Sequence, residues 1–276
     1  MNIAVLLTCF NRRDVTLASL RRLFENAREA ADTVDVYLTD DGSSDGTAQA
    51  VAEQFPQVTI LHGDGSLFWG GGTNLAWRAA AEESEKSYDY FVWLNDDSQL
   101  YDNVFSRYRE LLADAADGAN ILVGSFQDPD TGEHTYGGVA IGPRPLQQTI
   151  LQPTEAPQDC QVFNGNFVWV SRLAFKSIGY IDPAFPHIMG DTDYGLRATR
   201  AGICIQILPG ICGVCPRNPI RYEPSRIKRL RSVNDPKKRP LSAWVKFCFR
   251  HGGVLAPIIF ARPYLKAILG TRQEHG

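Results

Sequence analysis

Two adjacent carboxylates, Asp96 and Asp97, close an apolar run in the stretch VWLNDDS (92–98). Neighbouring acids repel, and two of them beside a buried strand admit three readings: a bound cation, the positive end of a helix, or no particular role. Mg²⁺ and Mn²⁺ suit the first reading, because they take oxygen ligands, commonly one or two carboxylates completed by phosphate and water. Three more clusters precede this one. TCFNR (8–12) carries Thr8, Asn11 and Arg12, TDDGSSDGT (39–47) carries Asp41, and GDGSLFWGGGTN (63–74) carries Trp69, Gly71 and Asn74. Singly, each has an ordinary explanation as a turn, a helix cap or a flexible glycine loop. A later pair, Asp191 and Asp193, lies in HIMGDTDYGLRATRAG (187–202), where an acid either accepts a proton or caps a helix.

The elements that carry these residues alternate. IAVLLTC (3–9) is a continuous apolar run, as expected of a parallel strand covered on both faces. Val15, Leu17, Leu20, Leu23 and Phe24 follow at helical spacing. VDVYLT (34–39) reads as a second strand, Asp45 as the cap of the helix TAQAVAEQF, VTIL (58–61) as a third strand, TNLAWRAAAEES as a helix after a glycine-rich loop, and YFVWL (90–94) as a fourth strand. Such a βαβαβαβ rhythm implies a parallel sheet with right-handed crossovers. Ligands of open parallel sheets bind at the carboxyl ends of the strands, and all four clusters fall there. After Asp97 the pattern predicts a helix near 102–115, a strand NILVGSF, hairpins and loops over 127–158, a strand QVFNGNFVWV (161–170), a last strand CIQIL (204–208) and a linker NDPKKRP (234–240).

Taken together, Thr8–Arg12, DDGSSDGT (40–47), Gly70–Asn74 and Asn95-Asp96-Asp97 resemble the nucleotide-sugar glycosyltransferases of the GT-A fold, family 2 type. Within them the chain is most similar to the rhamnosyltransferase-like enzymes of bacterial surface polysaccharide synthesis. The resemblance covers about residues 1–216. It implies an α/β fold with a mostly parallel central sheet flanked by helices, a nucleotide-binding half (1–100) and an acceptor half (101–216). It also implies an inverting transfer from a nucleotide-diphospho-sugar donor to a glycan or lipid-linked glycan acceptor, with Mn²⁺ or Mg²⁺ as cofactor. On it, Asp41 hydrogen-bonds the base with Thr8, Asn11 and Arg12 around it. Gly70, Gly71, Gly72 and Asn74 approach nucleotide and sugar, Asp97 binds the metal, and Asp96 contacts sugar or metal. Asp191 is the candidate base, supported by Asp193 and Arg197, while Asn164, Gly165 and Asn166 lie near the donor sugar. Trp69 is a candidate sugar platform and Trp169 reads as core. Two departures stand out. The family usually shows Glu-Asp where this chain has Gly190-Asp191. A histidine expected after the last strand is missing from LPGICGVCPRNP, which offers Cys215 instead, with His187 and His62 as remote substitutes.

The net charge of −3 conceals an asymmetry. Residues 1–216 hold 14 Lys/Arg against 28 Asp/Glu, whereas residues 217–276 hold 14 against 3. A basic helical extension on an acidic body suits an anionic membrane face, with Trp244, Phe247 and Phe249 on an interfacial helix, or packing of that helix on the body or on the second subunit of a homodimer. Leu241, Trp244, Val245 and Cys248 are expected to share its apolar face. Nothing resembles a nucleic-acid readout module. The six cysteines read as buried free thiols of a reducing cytosol, the N-terminus as a strand rather than a signal peptide, and no apolar run reaches the roughly 18–20 residues of a membrane span. The expected location is cytoplasmic, or peripheral on the inner face of the plasma membrane. Rival readings are a non-catalytic nucleotide-sugar-binding subunit, favoured by the two departures, and a sugar nucleotidyltransferase, disfavoured because TCFNRRD lacks the glycines of such loops.

Overall fold

The alternation expected of the first hundred residues is present. A computed structural model describes residues 1–142, 147–217, 225–233, 235 and 240–269. Strands β1 (Asn2–Cys9), β2 (Thr33–Asp40), β3 (Thr59–His62) and β4 (Tyr90–Leu94) pair in the order β3-β2-β1-β4, all parallel. Helices α1 (Arg13–Glu29), α2 (Thr47–Gln54) and α3 (Phe68–Arg78) connect them. The unbroken apolar run of β1 follows from burial on both faces. Ile3, Val5 and Leu7 enter one core with Leu20 and Leu23 of α1, and Ala4 and Leu6 enter a second with Trp77 of α3.

The chain continues through β5 (Gln99–Leu100), α4 (Val104–Ala116), β6 (Asn120–Gln127), β7 (His134–Tyr136), β8 (Gly138–Ile141), β9 (Gln148–Ile150), β10 (Gln158–Asp159), β11 (Val162–Phe163) and β12 (Phe167–Ser171). Then follow α5 (Arg172–Ile178), α6 (Gly190–Arg200) and β13 (Cys204–Val214). The main sheet runs β10-β13-β6-β12-β4-β1-β2-β3, with β5 on β13 and β7 on β6. β12 is antiparallel to both of its neighbours, β4 and β6. A small second sheet, β11-β8-β9, stands beside it.

Three expectations change. The segment 161–170 is two strands rather than one, because Asn164-Gly165-Asn166 turns the chain from the small sheet into the main one. The glycine-rich loop is helix, since α3 already begins at Phe68 and Gly70–Gly72 lie inside it. There the missing side chains permit close packing: a Cβ on Gly70 would sit 2.3 Å from the Phe185 carbonyl oxygen, and one on Gly72 2.4 Å from Thr8 Cγ2. The last strand extends from CIQIL to Val214, so Cys212 falls within it and Cys215 directly after it.

Beyond the sheet lie α7 (Arg226–Val233), α8 (Leu241–His251) and α9 (Ala256–Leu269). The expected linker falls almost wholly outside the described residues. The buried face of α8 is only partly the expected one, with Cys248 buried and Trp244 half-buried as expected. Ala243 and Phe247 pack on Phe185, with Met189, Leu196 and Trp244 around them, while Leu241 and Val245 face solvent. Phe247 thus seats the helix on the body, and Trp244 lies between it and α9, donating from Nε1 to the Phe260 carbonyl.

Candidate active site

Asn95, Asp96 and Asp97 follow β4 in a tight turn, closed by the Ser98 N–H donating to the Asn95 carbonyl. The charge that offsets the two acids is a guanidinium. Arg12 Nη1 donates to Asp96 Oδ1 at 3.1 Å and to Asp97 Oδ2 at 2.7 Å. Asp96 is 6% exposed. Burial raises its carboxyl, Arg12 pulls it back, Asp97's charge raises it again, and it settles at about 7. Cys215 stands on the far side of Asp97, its thiol 3.5 Å from Oδ1, and Asn166 Nδ2 donates to its sulfur at 3.4 Å. Burial, with the charge of Asp97, lifts the Cys215 thiol to about 12, so it remains a protonated donor at neutral pH and a poor ligand for a hard cation. His187 packs on the Phe68 ring, and His62 is exposed at the end of β3.

The residues expected around a nucleoside are tied to one another. The Asn11 N–H donates to Ser43 Oγ, and Asn11 Oδ1 accepts from the Ser44 N–H at 2.8 Å, joining the β1 loop to the DDGSSD turn. Asp45 accepts from the N–H groups of Arg13 and Thr47, so it ties the starts of α1 and α2 together, although the cap position of α2 itself is Gly46. Asp41 is buried; its oxygens accept from the N–H groups of Gly65, Leu67 and Phe68, so it shapes the entry to α3. Thr8 Oγ1 lies 3.3 Å from Thr73 Oγ1 across the Gly72 contact. Asn74 Nδ2 donates to the Ile181 carbonyl at 2.6 Å, and Gly71 is partly exposed beside Leu67.

The opposite wall is built on the turn 164–166 and the start of α6. Asp191 Oδ2 accepts from the Gly165 N–H at 3.2 Å and Oδ1 from the Thr192 N–H at 2.7 Å. Burial raises its carboxyl above the ordinary range against the pull of these bonds. α6 begins after Met189 in the left-handed region (φ 70°), a strained conformation of the sort that concentrates at functional sites. Trp69 is not a free platform. Its Nε1 donates to Asn95 Oδ1 at 2.7 Å, and its ring crosses Trp93 edge-on. A Cβ on Gly165 would lie 2.4 Å from the indole, and one on Gly190 3.4 Å from it. At Gly190 the nearest atom to such a Cβ would be the Phe185 carbonyl oxygen at 3.3 Å, and the indole would be in ordinary contact. Asn164 accepts from the Gly137 N–H and braces the β7–β8 junction.

Asn95 received no role in the sequence reading, although it stands in the same tripeptide as the two acids. It connects both walls, holding Trp69 through its side chain and the Asn166 carbonyl through its N–H. Asp193, two residues after Asp191, points elsewhere. It is fully buried and accepts from Arg197 Nε at 2.9 Å, from Arg250 Nη1 at 2.7 Å and, across 2.8 Å, faces His251 Nε2. Trp169 is fully buried core.

Comparison with known proteins identifies the family and the fold. The model of the family "Glycosyl transferase family 2" matches residues 4–179. The chain belongs to that family. Its fold is that of the GT-A glycosyltransferases. It is 29% identical over 195 residues to N-acetylglucosaminyl-diphospho-decaprenol L-rhamnosyltransferase of Mycobacterium tuberculosis, in strains CDC 1551/Oshkosh and ATCC 25618/H37Rv alike. That match spans 61% of this chain and 62% of the relative. A mannosyltransferase from Pyrobaculum calidifontis, solved in complex with GDP-Man and Mn²⁺, superposes with a TM-score of 0.55 at 16% identity over 97% of this chain and 72% of its own. S. aureus TarS 1-349 superposes with a TM-score of 0.60 at 11% identity over 100% of this chain and 74% of its own.

Among the described residues no three His, Cys, Asp or Glu side chains form a metal-holding group. Two adjacent carboxylates are nevertheless donors of the type a hard divalent cation takes. Asp96 and Asp97 offer carboxylate oxygens around a point where Arg12 already places a positive charge, and a bound diphosphate would supply further oxygens. No helix among the described residues is long and apolar enough to cross a membrane.

Proposed function

We propose that this glycosyltransferase is an inverting, metal-dependent enzyme that moves a sugar from a nucleotide-diphosphate donor to a lipid-linked glycan. The observation that carries this reading is the turn 164–166, which ties the two acidic centres together. Gly165 holds Asp191 through its N–H, and the next residue, Asn166, reaches the Cys215 that touches Asp97. That chain of contacts supports a base and a cation site held near one another, as in-line displacement at an anomeric carbon would require. Asp97, with Asp96, would hold Mn²⁺ or Mg²⁺, which neutralises charge on the departing diphosphate. Asp191 would take the proton of the acceptor hydroxyl, and its burial-raised basicity suits that role at neutral pH. Asn11, Asp41 and Arg12 would line the nucleoside and diphosphate, and Asn74 and Gly71 the sugar. The named activity of the mycobacterial relative supports an L-rhamnosyl donor and a diphospho-polyprenol acceptor.

A lipid-linked acceptor also gives a use to the tail. Residues 241–269 contain no Asp or Glu, and they expose Phe249, Val254, Ile258, Leu265 and Leu269, with Lys266 and the Asp182-paired Lys246 on the same segment. That combination suits an anionic leaflet.

The test is sugar transfer measured over UDP-, dTDP- and GDP-sugars with Mn²⁺ and a panel of lipid-linked acceptors. The wild type should turn over one donor class, and Asp191→Asn and Asp97→Asn should each lose at least about a hundredfold in kcat. Either variant at wild-type rate would refute the mechanism. Tight donor binding without transfer to any acceptor would favour a binding subunit instead.

A further inference from the structure

Arg12 sits where a metal would have to act. A single nitrogen of its guanidinium bridges both acids, at 3.1 Å from Asp96 Oδ1 and 2.7 Å from Asp97 Oδ2. A divalent ion coordinated to these oxygens would approach to roughly 2.0–2.2 Å, inside the space that nitrogen fills, and two cations cannot share that face. Arg12 can leave without disturbing the backbone. Asn11 is pinned to Ser43 and Ser44, Arg13 to Asp45, and the Arg12 side chain itself is 44% exposed. A displaced guanidinium gains most from an anion with paired oxygens, and a diphosphate presents them at the right spacing for a planar fork.

We propose that Arg12 is a resident counter-cation, displaced only when divalent metal and nucleotide diphosphate arrive together, so that neither binds well alone. This rests on the donor reading above. Metal without nucleotide must expel Arg12 into water and gains only the two carboxylates. Nucleotide without metal must draw Arg12 away and leave Asp96 and Asp97 facing each other and the phosphates. With both present, the metal takes the acids and Arg12 takes the diphosphate, so every charge keeps a partner. The coupling is reciprocal, and each ligand tightens the other by the same factor. The alternative is that Arg12 only ties the start of α1 to the end of β4. That role would make its loss a stability defect with no effect on metal affinity.

Mn²⁺ binding read by electron paramagnetic resonance on the full chain separates these. It is titrated without nucleotide and with whichever of UDP, dTDP or GDP most raises the thermal midpoint. Nucleotide should tighten Mn²⁺ on the wild type by on the order of tenfold. Arg12→Gln should bind Mn²⁺ alone about tenfold more tightly than the wild type and lose most of the nucleotide enhancement. Arg12→Lys, whose ammonium is a single compact charge rather than a planar fork, should fall between. If Asp97→Asn abolishes Mn²⁺ binding while Arg12→Gln binds free Mn²⁺ no better than the wild type, the proposal is wrong and the metal site stands. If Asp97→Asn binds Mn²⁺ as the wild type does, the metal-site reading falls and the proposal with it.

Discussion

Replacing Asp193 with alanine should loosen α8 from the body. The carboxylate is fully buried and meets three cationic or ring-nitrogen partners, two of them on α8. Breaking a buried ion pair from one side typically costs about 3–5 kcal/mol, because the orphaned charge stays behind. The lower end applies here. Arg250 keeps Asp182, Arg197 keeps the Ile178 and Tyr180 carbonyls, and both are partly exposed. His251 has no such refuge, since its Nδ1 already lacks a hydrogen-bond partner and its ring is fully buried. A loss of about 3 kcal/mol corresponds to a drop in thermal midpoint of roughly 6–12 °C for a chain of this size. The discriminating assay is amide hydrogen exchange, in which α8 should lose protection while β1 and β4 keep theirs. Unchanged α8 exchange with a midpoint within about 2 °C of wild type would refute the anchoring argument. The same contact carries a pH dependence. Burial raises the Asp193 carboxyl, but hydrogen bonds from His251 and Arg250 and the charge of Arg197 hold it below the ordinary range. On Asp182 the same contest, with Lys246 and Arg250 against burial, ends at about 2. Both folded values are depressed, so the stabilisation is complete above the usual carboxylate range and is lost as pH falls through the folded values. α8 should therefore open on acidification from about pH 4 towards 2.

The glycines of α3 should part company. Gly72→Ala, whose Cβ meets Thr8, should lower stability by about 1–3 kcal/mol in chemical denaturation. Gly71→Ala, with only Leu67 at 3.3 Å, should be neutral or slightly stabilising, because alanine is the better helix former. If Asp191 is the base, its raised carboxyl should place the acid limb of the kcat profile above the usual carboxylate range, and a limb at or below it would disprove that role. The tail should bind anionic vesicles in a salt-sensitive way, and Val254→Glu with Ile258→Glu should abolish it; equal retention on neutral vesicles would count against a membrane role.

The strand-end clusters were legible because a parallel sheet dictates where its loops converge, whatever those loops contain. The run IAVLLTC announced β1 for the same reason, since a strand buried on both faces cannot alternate. Gly70–Gly72 misled because glycine is penalised in a helix by local propensity, whereas the contacts with Thr8 and Phe185 that demand it are tertiary. The segment 161–170 misled because its apolar ends share a strand pattern while the turn between them sends each to a different sheet. Asp193 with Arg197 is visible at helical spacing, but Arg250 and His251 lie more than fifty residues further on, and no local pattern links them.

The Asp193 knot bears on how the protein can be cut and how it can be inherited. Charge composition draws a natural boundary near residue 216, and a shorter catalytic fragment ending there looks attractive for expression. Such a fragment would discard Lys246, Arg250 and His251 at once and leave a buried acid with Arg197 alone. Asp193 and the tail are therefore best regarded as one unit, and a natural variant without the tail should carry an uncharged residue at position 193.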